Sequence, residues 1–216
     1  DDMAKSGPLV FEARGAPAEL AQVVVRELWP AEAVAYLSDR SVGKRQALPI
    51  VGDLAGWAGA TEAIDAEDGL MTWKEGERGK ILYWANVLED FEFEFEFKLS
   101  PGANNGVVLR YSGSGRAIHA SICEIQIVDQ DYAAVSKPID LRKTHGSAYG
   151  MAAARQGYQH TVGEWNYQKI TVRGSRVVVE LNGTTILDAD LRAIPEAEIL
   201  GGKRLDGLGR ESGYVG

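Results

Sequence analysis

From Phe91 to Phe97 the chain alternates without a break, Phe-Glu-Phe-Glu-Phe-Glu-Phe. A period of two sets four phenylalanines on one side of a strand and three glutamates on the other. The rings must be core, and the glutamates read as a solvated face rather than a cation site. Shorter runs of the same texture predict strands at 80–84, 106–111, 121–128, 167–173, 176–181 and 184–187. Asn182-Gly183 between the last two is a hairpin signal, since both residues accept positive φ, and Gly174-Ser175 turns the preceding pair. Short alternating runs punctuated by Gly, Asn and Asp are the pattern of an antiparallel sandwich or barrel.

Before residue 47 the texture differs. Pro17 opens a segment whose Leu20, Val23, Val24 and Leu28 follow helical spacing, and Pro30 closes it. A short amphipathic helix is therefore expected over residues 17–29, with a second from Ala31 to Leu37. The chain divides on this reading into a partly helical extension, 1–46, and a β domain, 47–216.

With 216 residues, 45% hydrophobic and 25% charged, the chain has the makeup of one folded domain with a sizeable core. A formal charge of -8 and a pI near 5.0, without a basic stripe, exclude nucleic acid and anionic membrane surfaces as natural partners. No apolar run approaches membrane-spanning length, and Asp1-Asp2-Met3-Ala4-Lys5 lacks a hydrophobic signal core. A mature exported form and a cytoplasmic protein both fit. The single cysteine, Cys123, excludes an intrachain disulfide and reads as a buried small hydrophobe.

Candidate chemistry lies where polar residues interrupt the apolar runs. In Ile122-Cys123-Glu124-Ile125-Gln126-Ile127-Val128-Asp129 the core takes Cys123, Ile125 and Ile127, so Glu124 and Gln126 project together from the opposite face, about 6.6 Å apart. Arg110 ends the earlier run Asn104 to Arg110 in a similar way. Arg, Glu and Gln on rigid strands can grip a hydroxyl-rich ligand or polarise a carbonyl, although an ordinary solvated sheet face has the same pattern. Asp129 stands at odd spacing from Glu124 and points the other way unless the strand ends before it. That argues against a paired-carboxylate glycosidase, which needs two acids facing one bond. Glu124, Asp129 and His145 form a candidate set for a divalent cation, without His-x-His or Cys-x-x-Cys spacing to support it. Trp57, Trp73 and Trp84 read as core, whereas Trp165, beside Asn166 in a Gly-led loop, is balanced between core and sugar platform. Gly-x-Ser-x-Gly and Gly-Lys-Thr motifs are absent, which removes serine-hydrolase and nucleotide-binding readings.

Several pieces follow one another in a known order: Asp53-Leu54-Ala55-Gly56-Trp57, Asp90-Phe91-Glu92, Asn105-Gly106-Val107-Val108-Leu109-Arg110, Glu124-Ile125-Gln126-Ile127-Val128-Asp129, Gly146-Ser147-Ala148-Tyr149-Gly150, Gly163-Glu164-Trp165-Asn166 and Leu181-Asn182-Gly183. In this order they resemble the 3-keto-disaccharide hydrolase domain family over roughly residues 47–216. The resemblance implies an all-β, antiparallel jelly-roll β-sandwich similar to concanavalin A-like lectins and glucanases, in bacterial proteins that are periplasmic or extracellular. It also implies a chemistry. A ketone at carbon 3 of a sugar acidifies the hydrogen on carbon 2, so a base removes it, the carbon 1 substituent leaves, and water adds back. Glu124 is then the candidate base or metal ligand and Arg110 the electrophile. Gln126, Asp129, Tyr149, Trp165 and Asn166 are candidate substrate contacts. A non-catalytic lectin-like module is the alternative on the same sandwich.

Two departures from the family pattern stand out. His160-Thr161-Val162 precedes Gly163 where the family has Lys-Pro-x, and the family's closing strand is absent after Gly216. Residues 8–13, or the matching edge of a second copy, are expected to pair with the sheet where that strand would lie.

Overall fold

The computed structural model describes residues 9–14, 18–28, 45–115, 121–131 and 139–201. Within these the chain is an antiparallel β-sandwich, as the alternation predicts. The smaller sheet runs in the order β10 (Cys123–Val128), β9 (Asn104–Leu109), β1 (Leu9–Arg14), β7 (Arg78–Trp84) and β4 (Trp57–Gly59). The larger sheet runs β13 (Thr184–Asp190), β12 (Arg176–Leu181), β11 (Trp165–Arg173), β8 (Asp90–Leu99), β2 (Ala18–Leu28), β6 (Leu70–Trp73) and β5 (Ile64–Glu67), with β3 (Gln46–Ala47) paired to β2.

The core lies between the sheets. Phe91, Phe93, Phe95 and Phe97 of β8 are fully buried against Val107, Leu109, Cys123 and Ile125 of the smaller sheet. Each such ring withdrawn from water contributes about 2 kcal/mol. Cys123 is buried as expected, and burial pushes its thiol pKa well above the usual range. Trp57, Trp73 and Trp84 are core residues, the first and last meeting edge to face at 5.6 Å. The β12–β13 hairpin turns at Asn182 and Gly183, with φ of 49° and 81°, the primed geometry that matches strand twist.

The helix expected over residues 17–29 is instead strand β2, inside the larger sheet between β8 and β6. A β-bulge explains the misreading. Ala18 and Leu20 are buried before it and Val23 and Val25 after it, while exposed Gln22 takes φ of 50° and the register to β8 shifts between Ala21 and Val24. One residue inserted into a period of two turns Leu20 to Val23 into a step of three, which mimics a helix. The second expected helix, Ala31 to Leu37, lies outside the described residues. Residues 9–14 do pair with a sheet, but in its interior between β7 and β9, not at an edge.

The glutamates of β8 are less solvated than expected. Glu92 and Glu96 are half-buried, and Glu94 is 9% exposed. Arg45 Nε donates to Glu94 Oε1 at 3.2 Å, its Nη2 pairs with Oε2, and the Tyr167 hydroxyl donates to Oε2 at 2.8 Å. Burial would raise the Glu94 pKa, but these donors outweigh it and hold the carboxyl below its ordinary value.

Candidate functional site

Alternation on β10 behaves as the residues require. Cys123, Ile125 and Ile127 join the core, and Glu124 and Gln126 lie on the outer side of the smaller sheet. Neighbouring β9 pairs Val108 with Glu124, Gly106 with Gln126 and Asn104 with Val128, so Asn104, Gly106 and Val108 share that outer face. The Glu124 side chain folds over Gly106: a Cβ there would sit 2.2 Å from Glu124 Oε1 and 2.5 Å from its Cγ. Gln126 Nε2 donates to Asn104 Oδ1 at 2.9 Å. Glu124 and Gln126 are only 1% and 2% exposed, so the acid and the amide are removed from bulk water.

The free side of β10 is taken up by the segment around residue 148. Gln126 N donates to Ser147 O (3.0 Å), Gly146 N to Gln126 O (2.8 Å) and Tyr149 N to Glu124 O (2.8 Å), with Ile125 bridged to Ala148. Ala148 therefore joins the core and Tyr149 falls on the side of Glu124. Lys143 Nζ stands 5.7 Å from the Tyr149 ring centre and brings a cation to this margin. Glu124, Gln126 and Tyr149 thus share one face, joined by Asn104, Gly106 and Lys143. The last three were not singled out from the sequence, although the alternation of β9 marks Asn104 and Gly106 as neighbours on one face.

The remaining predicted residues go elsewhere. Arg110 follows the end of β9 with φ of 49°, which breaks the alternation that would have aimed it alongside Glu124. Its Nε and Nη2 donate to the Glu89 carbonyl at 3.0 and 2.9 Å, and Nη2 pairs with Asp90 Oδ1 at 3.0 Å, at the entry to β8 in the other sheet. Asp129, just past β10, accepts Gly102 N–H and Asp131 N–H at 2.8 Å each, one on each oxygen. Asn166 is buried on the core side of β11, where its Oδ1 accepts from His160 N (2.8 Å) and Asn182 Nδ2 (2.9 Å). Alternation then turns Trp165 to the outer face of the larger sheet, 39% exposed and beneath Lys98, the face opposite to that of Glu124.

The cation set of Glu124, Asp129 and His145 does not converge. His145 is 3% exposed inside the sandwich and stacks on Phe97 at 5.3 Å. Its Nδ1 accepts Val128 N–H at 3.3 Å and its Nε2 meets Gln168 Oε1 at 3.0 Å, which assigns the proton to Nε2 and leaves neither nitrogen for a metal. Among the described residues no group of three His, Cys, Asp or Glu is placed to hold an ion.

Burial lowers the His145 pKa to about 4. The unfolded chain protonates near 6.5 and the native chain only near 4, so the unfolded state binds the extra proton first as pH falls. Stability is whole above about pH 6.5 and drains away down to about pH 4, by about 3 kcal/mol. His145→Gln is expected to flatten the fall in urea midpoint between pH 7 and pH 4.5. An unchanged slope in that variant would assign the acid sensitivity to other groups.

The fold and this face define a class of protein, an antiparallel β-sandwich carrying an acid and an amide side by side on the outside of its smaller sheet. The model of the 3-keto-alpha-glucoside-1,2-lyase-like domain matches residues 51–214, and the chain belongs to that family. A curated relative, the 3-keto-disaccharide hydrolase of Bacteroides thetaiotaomicron, is 30% identical over 129 residues, which cover 55% of this chain and 44% of the relative. The chain thus spans less than half of that relative's length. Two solved structures of presumed glycosyl hydrolases from Parabacteroides distasonis share the fold. One has a TM-score of 0.59 at 19% identity, covering 75% of this chain and 81% of the other. The second has a TM-score of 0.52 at 24% identity, covering 65% and 70%. Among the described residues no helix is long and apolar enough to cross a membrane.

Proposed function

We propose that this chain is a carbohydrate-active enzyme that cleaves 3-keto-glycosides, 3-keto-disaccharides among them, by base-assisted elimination followed by hydration. The observation that carries the reading is the placement of Glu124, a carboxylate withdrawn from water and lying across Gly106 beside Gln126 and Tyr149. Glu124 removes the proton from carbon 2, and the electron pair moves toward the carbon 3 carbonyl as enolate. The enolate then expels the carbon 1 substituent, and water adds to the resulting enone at carbon 1. Developing charge on the carbon 3 oxygen calls for donors or a cation, a role that Tyr149 and Lys143 support by position and that Arg110, held by Asp90 and the Glu89 carbonyl, does not. Gln126 contacts sugar hydroxyls. The lectin-like alternative asks for an aromatic platform beside the acid, but Trp165, its candidate, stands on the far sheet. The setting we propose for it is the periplasm or cell exterior.

Incubation with 3-keto-trehalose and with 3-keto-glucosides, with and without added divalent ions, tests the reading. Release of free 3-keto-glucose is the expected result, and binding without release would favour the lectin-like module.

A further inference from the structure

Strand β9 does more than flank the acid. Every other strand position in a packed sheet normally carries a side chain that covers its neighbours, yet β9 has glycine at the position that Glu124 crosses. The contact is not with the mobile end of the side chain alone. A Cβ at residue 106 would meet Oε1 at 2.2 Å, Cγ at 2.5 Å and Cδ at 2.7 Å, all far inside van der Waals contact. The carboxyl group can lie where it does only because residue 106 has no side chain. Gly106 does not take a positive φ, so the backbone does not require glycine there; the room for Glu124 is its use.

Two residues back on the same face, Asn104 takes the Gln126 Nε2 proton at 2.9 Å. Gln126 is 2% exposed, and its Oε1 has no hydrogen-bond partner among the described residues. A buried acceptor without a donor carries the full cost of its lost hydration, so such an atom is retained where a ligand completes it. Asn104 holds the Nε2 end of the amide and so leaves Oε1 as the end without a partner among the described residues.

We propose that β9 is the positioning strand of this site: Gly106 provides the notch that seats the Glu124 carboxyl group, and Asn104 turns Gln126 so that its carbonyl oxygen accepts a hydroxyl of the sugar. The inference rests on the functional reading given above for this face, and it deepens that reading by assigning two positioning residues. It specifies that the ligand brings a hydroxyl donor, not an acceptor, to Gln126.

The notch is tested without substrate by a double-mutant cycle in thermal stability. Gly106→Ala is expected to lower Tm by about 2–4 °C in the wild-type background, the scale of a single lost contact in a chain of this length. In the Glu124→Ala background the same change is expected to leave Tm unchanged or to raise it, since alanine suits a strand better than glycine. Equal losses in both backgrounds overturn the notch. If Gly106→Ala alone does not fold, recovery of folding in the double variant supports it and failure there refutes it. The amide is tested by kinetics on 3-keto-trehalose. Asn104→Leu is expected to raise KM about 10-fold at near-constant kcat, and Asn104→Asp, which still accepts from Nε2, to restore the wild-type KM. A normal KM in Asn104→Leu overturns the orienting role. If wild-type protein neither cleaves nor binds 3-keto-trehalose, the functional reading falls while the stability cycle still decides the notch.

Discussion

Deleting residues 1–14 is expected to abolish cooperative folding, not merely to loosen one end of the molecule. Strand β1 stands between β7 and β9, with Leu9 to Arg14 paired along β7 and Val10 to Ala13 paired along β9. Without it the smaller sheet falls into two two-stranded ribbons, β4 with β7 and β9 with β10, and an isolated two-stranded ribbon is marginal in water. The ribbons also carry one face of the core, including Leu82, Trp84, Val107, Leu109 and Ile125, all buried against the larger sheet. At about 1 kcal/mol per net ladder hydrogen bond, the loss along both flanks rivals a total stability of about 5–15 kcal/mol. Circular dichroism melts and size-exclusion chromatography should show no sharp transition and extensive aggregation. A truncated protein that melts cooperatively within a few degrees of the full chain would show that β7 and β9 close on each other directly.

The importance of this amino-terminal stretch was only half legible in the sequence, for reasons that differ between its two strands. Leu9 to Ala13 is apolar enough to read as a strand, but its register and its two partners lie about 70 to 100 residues away, and nothing local encodes them. Strand β2 was hidden by its own bulge at Gln22, which set buried Leu20 and Val23 three positions apart, the step of a helical rhythm. By contrast β8, β11 and β12 keep strict periods, and true turn residues bound β12 and β13, so their positions were readable to within a few residues.

The same distinction holds at the site. The shared face of Glu124 and Gln126 was readable because β10 is regular through Val128, and Tyr149 joins them through backbone pairing of its own segment to β10. Arg110 was misplaced because a positive φ at the strand end redirects it, and Trp165 because burial of its neighbour Asn166 decides which way β11 faces. His145 sits in an irregular segment, where periodicity offers no guide to whether the ring goes outward to a ligand or inward to Phe97 and Gln168. Gly106 and Asn104 carry no chemical signature of their own, and their part is visible only once the side chains of the adjoining strand are placed over them.

Glu124→Gln is expected to lower turnover of a 3-keto-glycoside by about 10²–10⁴-fold, the usual contribution of a positioned general base. Glutamine keeps the length and shape of the side chain that lies across Gly106, so the notch remains filled and the Tm should stay within a few degrees of wild type. It cannot accept the carbon 2 proton. KM should change little, because Gln126 and Tyr149 remain on the face and bind the ground state as before. Asp129→Asn provides the contrast: its two oxygens hold the N–H groups of Gly102 and Asp131, so its loss should appear in stability and leave the chemical step largely intact. Exchange of the substrate's carbon 2 hydrogen in D₂O separates proton abstraction from expulsion of the carbon 1 substituent. Wild-type protein should wash deuterium into carbon 2 or release product through that step, and Glu124→Gln should do neither. Wild-type exchange rates in Glu124→Gln would place the base on another residue and leave Glu124 a part of the sheet's packing, whatever the fate of the glycosidic bond.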